Sequence, residues 1–338
     1  MSLPTAVFLD TNILEAQNFN FASTAVATFI PAAKKHSLKF LLAAPIEGEI
    51  TRHMRERARD AVKALEDVRK RVPFLAMWKH FPPKAMPHLT EGEVIRVAAA
   101  AWDEFLQNFS TVKLDYSGVD LATVMRWYER IAPPFQEGKK RKEFPDAFAI
   151  AILEHYARET SSVIAVVSDD PDFKRACDRF SSLLYFKSLP ALTELLLSDE
   201  ADLDAIRSAI QANVGLIEEA AMDETPGFIF RHVDRAFNIR RSKVLQAIVS
   251  DLRVVALGVG ECTVTFEGEY ESEHILEWDY SSPYEEPQEE EGAVYQQTSM
   301  SATAKVKFDE RGNITEVTTF ELDDNDTVMV DQRPRRRW

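Results

Sequence analysis

Apolar residues in the first half of the chain come as short unbroken runs separated by longer amphipathic stretches. In the second half they alternate with polar residues. Residues 6–9 (AVFL) stop at Asp10-Thr11-Asn12, which predicts a buried strand ending in a turn. A helix fits 20–35, and 38–44 (LKFLLAA) predicts a second buried strand closed by Pro45. A charged helix is predicted from about Glu47 through Arg71, and Pro73, Pro82, Pro83 and Pro87 break up the stretch after it. A helix over 91–109, a short edge strand over 111–115 (TVKLD) and a helix over 118–131 come next. The loop APPFQEGKKRKEF then leads to a helix opened by Pro145 and running to about Arg158. The strongest strand signal is 162–168 (SVIAVVS), followed by a helix from Asp172 to Arg179 and a strand over 182–187. Strands alternating with helices predict an α/β domain, a parallel sheet with helices on both faces. In such sheets functional groups gather at the carboxyl ends of the strands.

The character changes after Leu189. Residues 190–222 read as helical, and so do 228–250. From about Arg253 the segments ECTVTFEGEYESE, AVYQQTSMSATAKVKF and NITEVTTFEL alternate with period two, which predicts an antiparallel meander. Between two of these lies SSPYEEPQEEEG, a charged stretch expected to stay flexible. The tail RPRRRW is basic and expected to be disordered. The expected organisation is an α/β domain over 1–190, an α+β domain over 191–332 and a tail over 333–338.

The 338 residues are natural for two cores. No apolar run reaches the length of a membrane span, and MSLPTAVFLDTN lacks the basic start of a secretory leader. Two cysteines, Cys177 and Cys262, argue against a disulfide framework or a thiolate zinc site and for a reducing compartment. A cytoplasmic location follows by elimination. The net charge of −15 is unevenly spread. Residues 1–190 hold 26 Lys+Arg against 24 Asp+Glu, a net of +2, and 191–338 hold 14 against 31, a net of −17. The acidic half is a poor nucleic-acid binder by itself.

Four acidic positions fall at strand ends and helix starts. Asp10 ends the first strand, Glu49 opens the helix after the second, Asp146 opens the helix after the basic loop, and Asp170 follows the 162–168 strand with Asp169 and Asp172 beside it. In a parallel sheet these points converge on one edge. Gathered carboxylates repel, and hard divalent cations with oxygen preference, Mg²⁺ or Mn²⁺, resolve the conflict. Each position also has a plain structural explanation. Asp10 suits a turn or a cap, Asp146 and Glu49 suit a helix dipole, and Asp172 suits an N-cap.

The segments that carry these acids resemble the PIN-domain family. VFLDTNIL is similar to the opening of such domains, PIEGEITRH to their second acidic element, EFPDAFAIA to the third and VVSDDPDF to the fourth. The resemblance covers about residues 5–187, with a helical insertion lengthening 55–110, and is nearest to a longer bacterial subfamily with an extra C-terminal region. It implies a Rossmann-like sheet in order 3-2-1-4-5 and metal-dependent cleavage of RNA, with single-stranded DNA as a further substrate. It also implies Asp10, Glu49, Asp146 and Asp170 as catalytic and metal-binding residues, with Asp172 as a further ligand. Glu47 remains an alternative to Glu49, and Asp169 or Asp172 to Asp170.

Substrate contacts are expected from Asn12, Arg52, His53 and Ser168. Lys140 and Lys142 of the run Lys139-Lys140-Arg141-Lys142 could grip phosphates. Trp78, Trp102 and Trp127 read as core. A phosphoaspartyl phosphatase would need an acid two residues after Asp10, where Asn12 stands, and a dinucleotide enzyme would need a Gly-rich turn. The remaining rival is a catalytically silent PIN fold acting as scaffold. The C-terminal region carries no motif, and self-association, a protein partner and masking of the basic loop all stay open for it.

Overall fold

The run AVFL forms β1 (Ala6–Leu9), with all four side chains buried. In this computed structural model the described residues are 3–71, 90–135, 144–198, 203–223, 228–234, 236–280, 288–309, 313–322 and 327–334. Trp78, the four prolines between 73 and 87, the basic loop with Lys140 and Lys142, and the last four residues of the tail lie outside them.

β2 (Lys39–Ala43), β3 (Ser110–Leu114), β4 (Ile164–Val167) and β5 (Leu183–Phe186) join β1 in a parallel sheet of order β3-β2-β1-β4-β5. β3 is an edge strand, as its half-polar sequence suggests. Strands are added outward on one side of β1 through β2 and β3, then on the other through β4 and β5. That is the switch point at which open α/β sheets leave a crevice. The pairing Leu9↔Val167 ends the β1–β4 ladder, so Asp10 and Ser168 leave the sheet side by side.

The helices are α1 (Thr11–Ala16), α2 (Thr24–Lys35), α3 (Ala44–Arg71), α4 (Glu91–Leu106), α5 (Leu121–Glu129), α6 (Phe144–Thr160) and α7 (Pro171–Cys177). α1 differs from the expected plain turn. Asp10 caps it, and six residues are too few to register as periodicity. α3 starts at Ala44 because Pro45 falls in the first turn, where a missing N–H costs nothing. α6 buries Ala147, Ala149, Ile150, Ala151, Ile152 and Leu153, so it is apolar on nearly every side. Phe40, Trp102 and Phe105 form an aromatic cluster, with Trp102 and Phe105 rings 5.4 Å apart.

Two compact units emerge, one of residues 1–22 with 30–192 and one of 23–29 with 193–338. The chain continues with α8 (Leu189–Leu197), α9 (Leu203–Ala212) and α10 (Val214–Asp223). After them come β6 (Ile229–His232), β7 (Asn238–Gly258), β8 (Glu261–Tyr280), β9 (Gln288–Phe308), β10 (Ile314–Leu322) and β11 (Thr327–Val330). The meander is present as an antiparallel sheet of order β10-β9-β8-β7, and β11 pairs with β6 in parallel.

The helix expected over 228–250 is absent, and β6 and β7 occupy that span. β7 slips register against β8 between Ile239 and Arg241, Val244 and Gln246, Ser250 and Arg253, and Val254 and Ala256. Each irregularity resets the alternation of sides, so the period-two signal is scrambled although the backbone is extended. The acidic stretch 281–292 is also not wholly a loop, since β9 begins at Gln288. Among the described residues no helix is long and apolar enough to cross a membrane.

Candidate metal centre

Asp10 is only 6% exposed at the end of β1. Its Oδ1 accepts the Thr11 N–H at 2.7 Å, and its Oδ2 accepts the Ser168 hydroxyl at 2.6 Å. Ser168 follows β4 and is fully buried. Its Oγ also accepts the Asp170 N–H at 3.1 Å and the Asn12 amide at 3.3 Å, while Asn12 Oδ1 receives the Asp169 N–H at 3.4 Å. Ser168 and Asn12 thus tie the turn after β1 to the turn after β4. Asp170 caps α7, its Oδ1 accepting the Asp172 N–H at 2.7 Å with Pro171 in the first turn.

Glu49 reaches the cluster from the second turn of α3. Its Oε2 accepts the Thr11 hydroxyl at 3.1 Å and its Oε1 the Arg52 guanidinium at 3.2 Å, with His53 Nε2 3.7 Å away. Glu47 instead pairs with Lys113 of β3 at 2.5 Å. Asp172 is buried in the first turn of α7 and forms an ion pair with Arg175. Asp146 is half-buried in the first turn of α6. Residues 161–163 join the far end of α6 to the start of β4, so Asp146 stands at the carboxyl edge of the sheet. Asp10, Thr11, Asn12, Glu49, Ser168 and Asp170 are therefore joined by direct hydrogen bonds, and Asp146 shares their edge by topology.

Burial pushes the Asp10 carboxyl up to about 6, and the negative charges of Glu49 and Asp170 add to the rise. The bonds from Ser168 and Thr11 oppose it. Tyr185 of β5 shares this field. Burial raises its phenol to about 12, with Asp169, Asp170 and Asp10 among the charges adding to the shift. Sequence reading passed over Tyr185, although its place beside Val166 on β4 follows once the strand order is known. It also passed over Glu15, whose position on α1 was hidden with that helix.

The donor set suits a hard divalent cation, being carboxylate and hydroxyl oxygens with no thiolate among them. The charges acting on Asp10 are both negative, which is the imbalance a cation corrects. Among the described residues no three His, Cys, Asp or Glu side chains already form a ready cage. Glu49 and Asp170 are engaged with Arg52, Thr11 and the α7 cap, so closing on an ion requires them to turn.

A five-stranded parallel sheet of this order, with acids flanking its switch point, defines a PIN-like α/β domain. Residues 7–173 match the family model described as PIN domain, and this part of the chain belongs to the PIN-domain family. The match runs from β1 into α7 and includes Asp10, Glu49, Asp146 and Asp170. PIN domains are a nuclease-type family that generally uses divalent metals. No curated protein and no solved structure matches the chain.

Proposed function

We propose that the first unit is a metal-dependent endoribonuclease in which Asp10, Glu49, Asp146 and Asp170 hold one or two Mg²⁺ or Mn²⁺ ions. The observation that carries this reading is the buried Asp10–Ser168 bond at the switch point, with the negative charges of Glu49 and Asp170 acting on the same carboxyl. A divalent ion there would supply an activated water and neutralise charge on the leaving oxygen of an in-line displacement.

The chain's own groups do the rest. Ser168 and the Thr11 N–H hold both Asp10 oxygens in one orientation, favouring the carboxylate form against the effect of burial. Thr11 holds Glu49, and Asn12 fixes the two turns at constant spacing. Preorganisation of this kind avoids reorganisation as the reaction proceeds. Arg52, beside Glu49 and exposed to solvent, is placed to meet a substrate phosphate. Lys140 and Lys142, outside the described residues, are proposed as further phosphate contacts on their charge and their sequence position before Asp146. Cleavage leaves a 5′-phosphate and a 3′-hydroxyl, without a covalent intermediate.

The test is cleavage of labelled RNA and single-stranded DNA with Mg²⁺, Mn²⁺ or EDTA, comparing the natural chain with Asp10→Asn. Cation-dependent cleavage that disappears in the variant supports the reading. A 2′,3′-cyclic phosphate product refutes the mechanism, and a folded protein that cleaves nothing points to a scaffold.

A further inference from the structure

Beyond Glu49 the surface of the first unit opens into a cleft of about 590 Å³, lined by Glu15, Asn18, His53, Glu56, Arg57 and Asp60. Its size lies within the roughly 300–1,000 Å³ of small-ligand pockets. His53 joins it to the candidate centre, with Nδ1 2.8 Å from Glu15 Oε1 and Nε2 3.7 Å from Glu49 Oε1. The cleft therefore begins one side chain away from the carboxylate cluster. One wall is Arg57, whose guanidinium donates to Asn18 Oδ1 at 2.7 Å and to the Glu15 carbonyl at 3.4 Å. It also lies over the Phe19 ring, 5.5 Å from the ring centroid. These three contacts fix a planar cation that is otherwise exposed.

We propose that this cleft receives an unstacked base of the substrate strand, next to the scissile phosphate, and prefers bases that carry an exocyclic amino group. The proposal rests on the nuclease reading and names a specificity device for it. The lining chooses the base rather than the backbone. Glu15, Glu56 and Asp60 place three carboxylates against the Arg57 guanidinium and the His53 ring, which lies 2.8 Å from Glu15 and 3.7 Å from Glu56, a balance that stays negative even with the ring charged and repels a phosphate. A neutral base meets no such repulsion. Carboxylates accept from the amino groups of adenine, cytosine and guanine, as they do at cytosine N4 in duplex readout. Uracil offers one N–H and two carbonyl oxygens, and the carbonyls would face carboxylate oxygens. The clamped Arg57 supplies a flat surface for stacking, a common way of holding an unstacked RNA base. Asn18 and Phe19 both adopt left-handed backbone, with φ of 51° and 54°. This turn ends α1 and brings both residues against Arg57.

The experiment maps every cleavage site in a single-stranded RNA of randomised sequence by sequencing the new ends, using the full chain with Mn²⁺. It compares the natural chain with the double variant Glu56→Gln, Asp60→Asn and with Arg57→Ala. In parallel, labelled oligomers of A, C and U are titrated against the full-length Asp10→Asn chain. The expected result is about a tenfold preference for amino-bearing bases over uracil at one fixed position from the cut. The double variant should level it, because its amides can donate to uracil, and Arg57→Ala should weaken binding of all bases. Cleavage with no base preference, or a preference unchanged in the double variant, overturns the cleft assignment and leaves the nuclease reading standing. A chain that cleaves nothing but binds A and C above U, with the order lost in the double variant, overturns the nuclease reading and the cleft's place beside a scissile phosphate, and leaves its choice of base standing. Neither cleavage nor ordered binding overturns both.

Discussion

Asp10 makes an unusual stability experiment because its carboxyl is raised from 3.8 to about 6 in the folded protein. The folded state then binds this proton more tightly than the unfolded chain. The associated stability is complete below about pH 3.8 and is lost as pH rises through about 6. The shift corresponds to about 3 kcal/mol, and the near-complete burial of the group leaves little solvent screening to reduce it. Asparagine has the same shape and cannot ionise, but its amide meets either the Thr11 N–H or a Ser168 oxygen that already accepts from Asp170 and Asn12, a cost that does not change with pH. The stability of Asp10→Asn relative to the natural chain should therefore rise by up to about 3 kcal/mol between pH 4 and pH 8 in EDTA. Added Mn²⁺ should stabilise the natural chain selectively, by mass action. The measurement is urea unfolding followed by hydrogen exchange in peptides covering β1 and β4, which isolates this unit from the other. A relative stability of the variant that stays constant or falls between pH 4 and pH 8 would refute the reasoning.

Ser168→Ala removes a bond that lowers the Asp10 pKa, so the acid limb of the pH–rate profile should move to higher pH with the plateau reached later. His274 is fully buried between the Ser242 and Ser272 hydroxyls, and burial depresses its pKa from 6.5 to about 4. The second unit should therefore lose up to about 3 kcal/mol as pH falls from 6.5 toward 4, and His274→Gln should flatten that loss in urea titrations. Glu194 is 5% exposed and receives Arg207, Arg253 and the Val254 N–H. Glu194→Ala should cost about 2–3 kcal/mol, below the usual 3–5 for a broken buried pair because both guanidinium groups reach solvent. Thermal unfolding of the second unit would check it.

The parallel sheet was readable because its inner strands are compact apolar runs ended by polar turns, as at Leu9-Asp10 and Val167-Ser168, whereas the strand order was available only through the resemblance of the acidic segments to PIN domains. The acids at those ends followed from the same boundaries. The pairings among them did not. That Thr11 holds Glu49 while Glu47 turns to Lys113 depends on helix phase at α3, which sequence spacing fixes only once the helix start is known. α1 went unseen because one and a half turns carry no period. β7 read as helix because four register irregularities broke its alternation, whereas β8, with positions from Phe266 to Leu276 alternately buried and less buried, was plain.

The Asp10–Ser168 bond joins residues 158 positions apart. During synthesis at roughly 5–20 residues per second, about 8–30 s separate the emergence of its two partners. Until then β1 has no β4 beside it, and the carboxylate cluster exists only as scattered halves. The four strands of the second sheet, by contrast, each pair with the strand next to them in the chain and can zip as they emerge. A nascent chain tethered to a ribosome, surrounded by RNA, therefore carries no assembled centre until its first 170 residues are free to fold. The order of the strands acts as a delay built into the making of the protein.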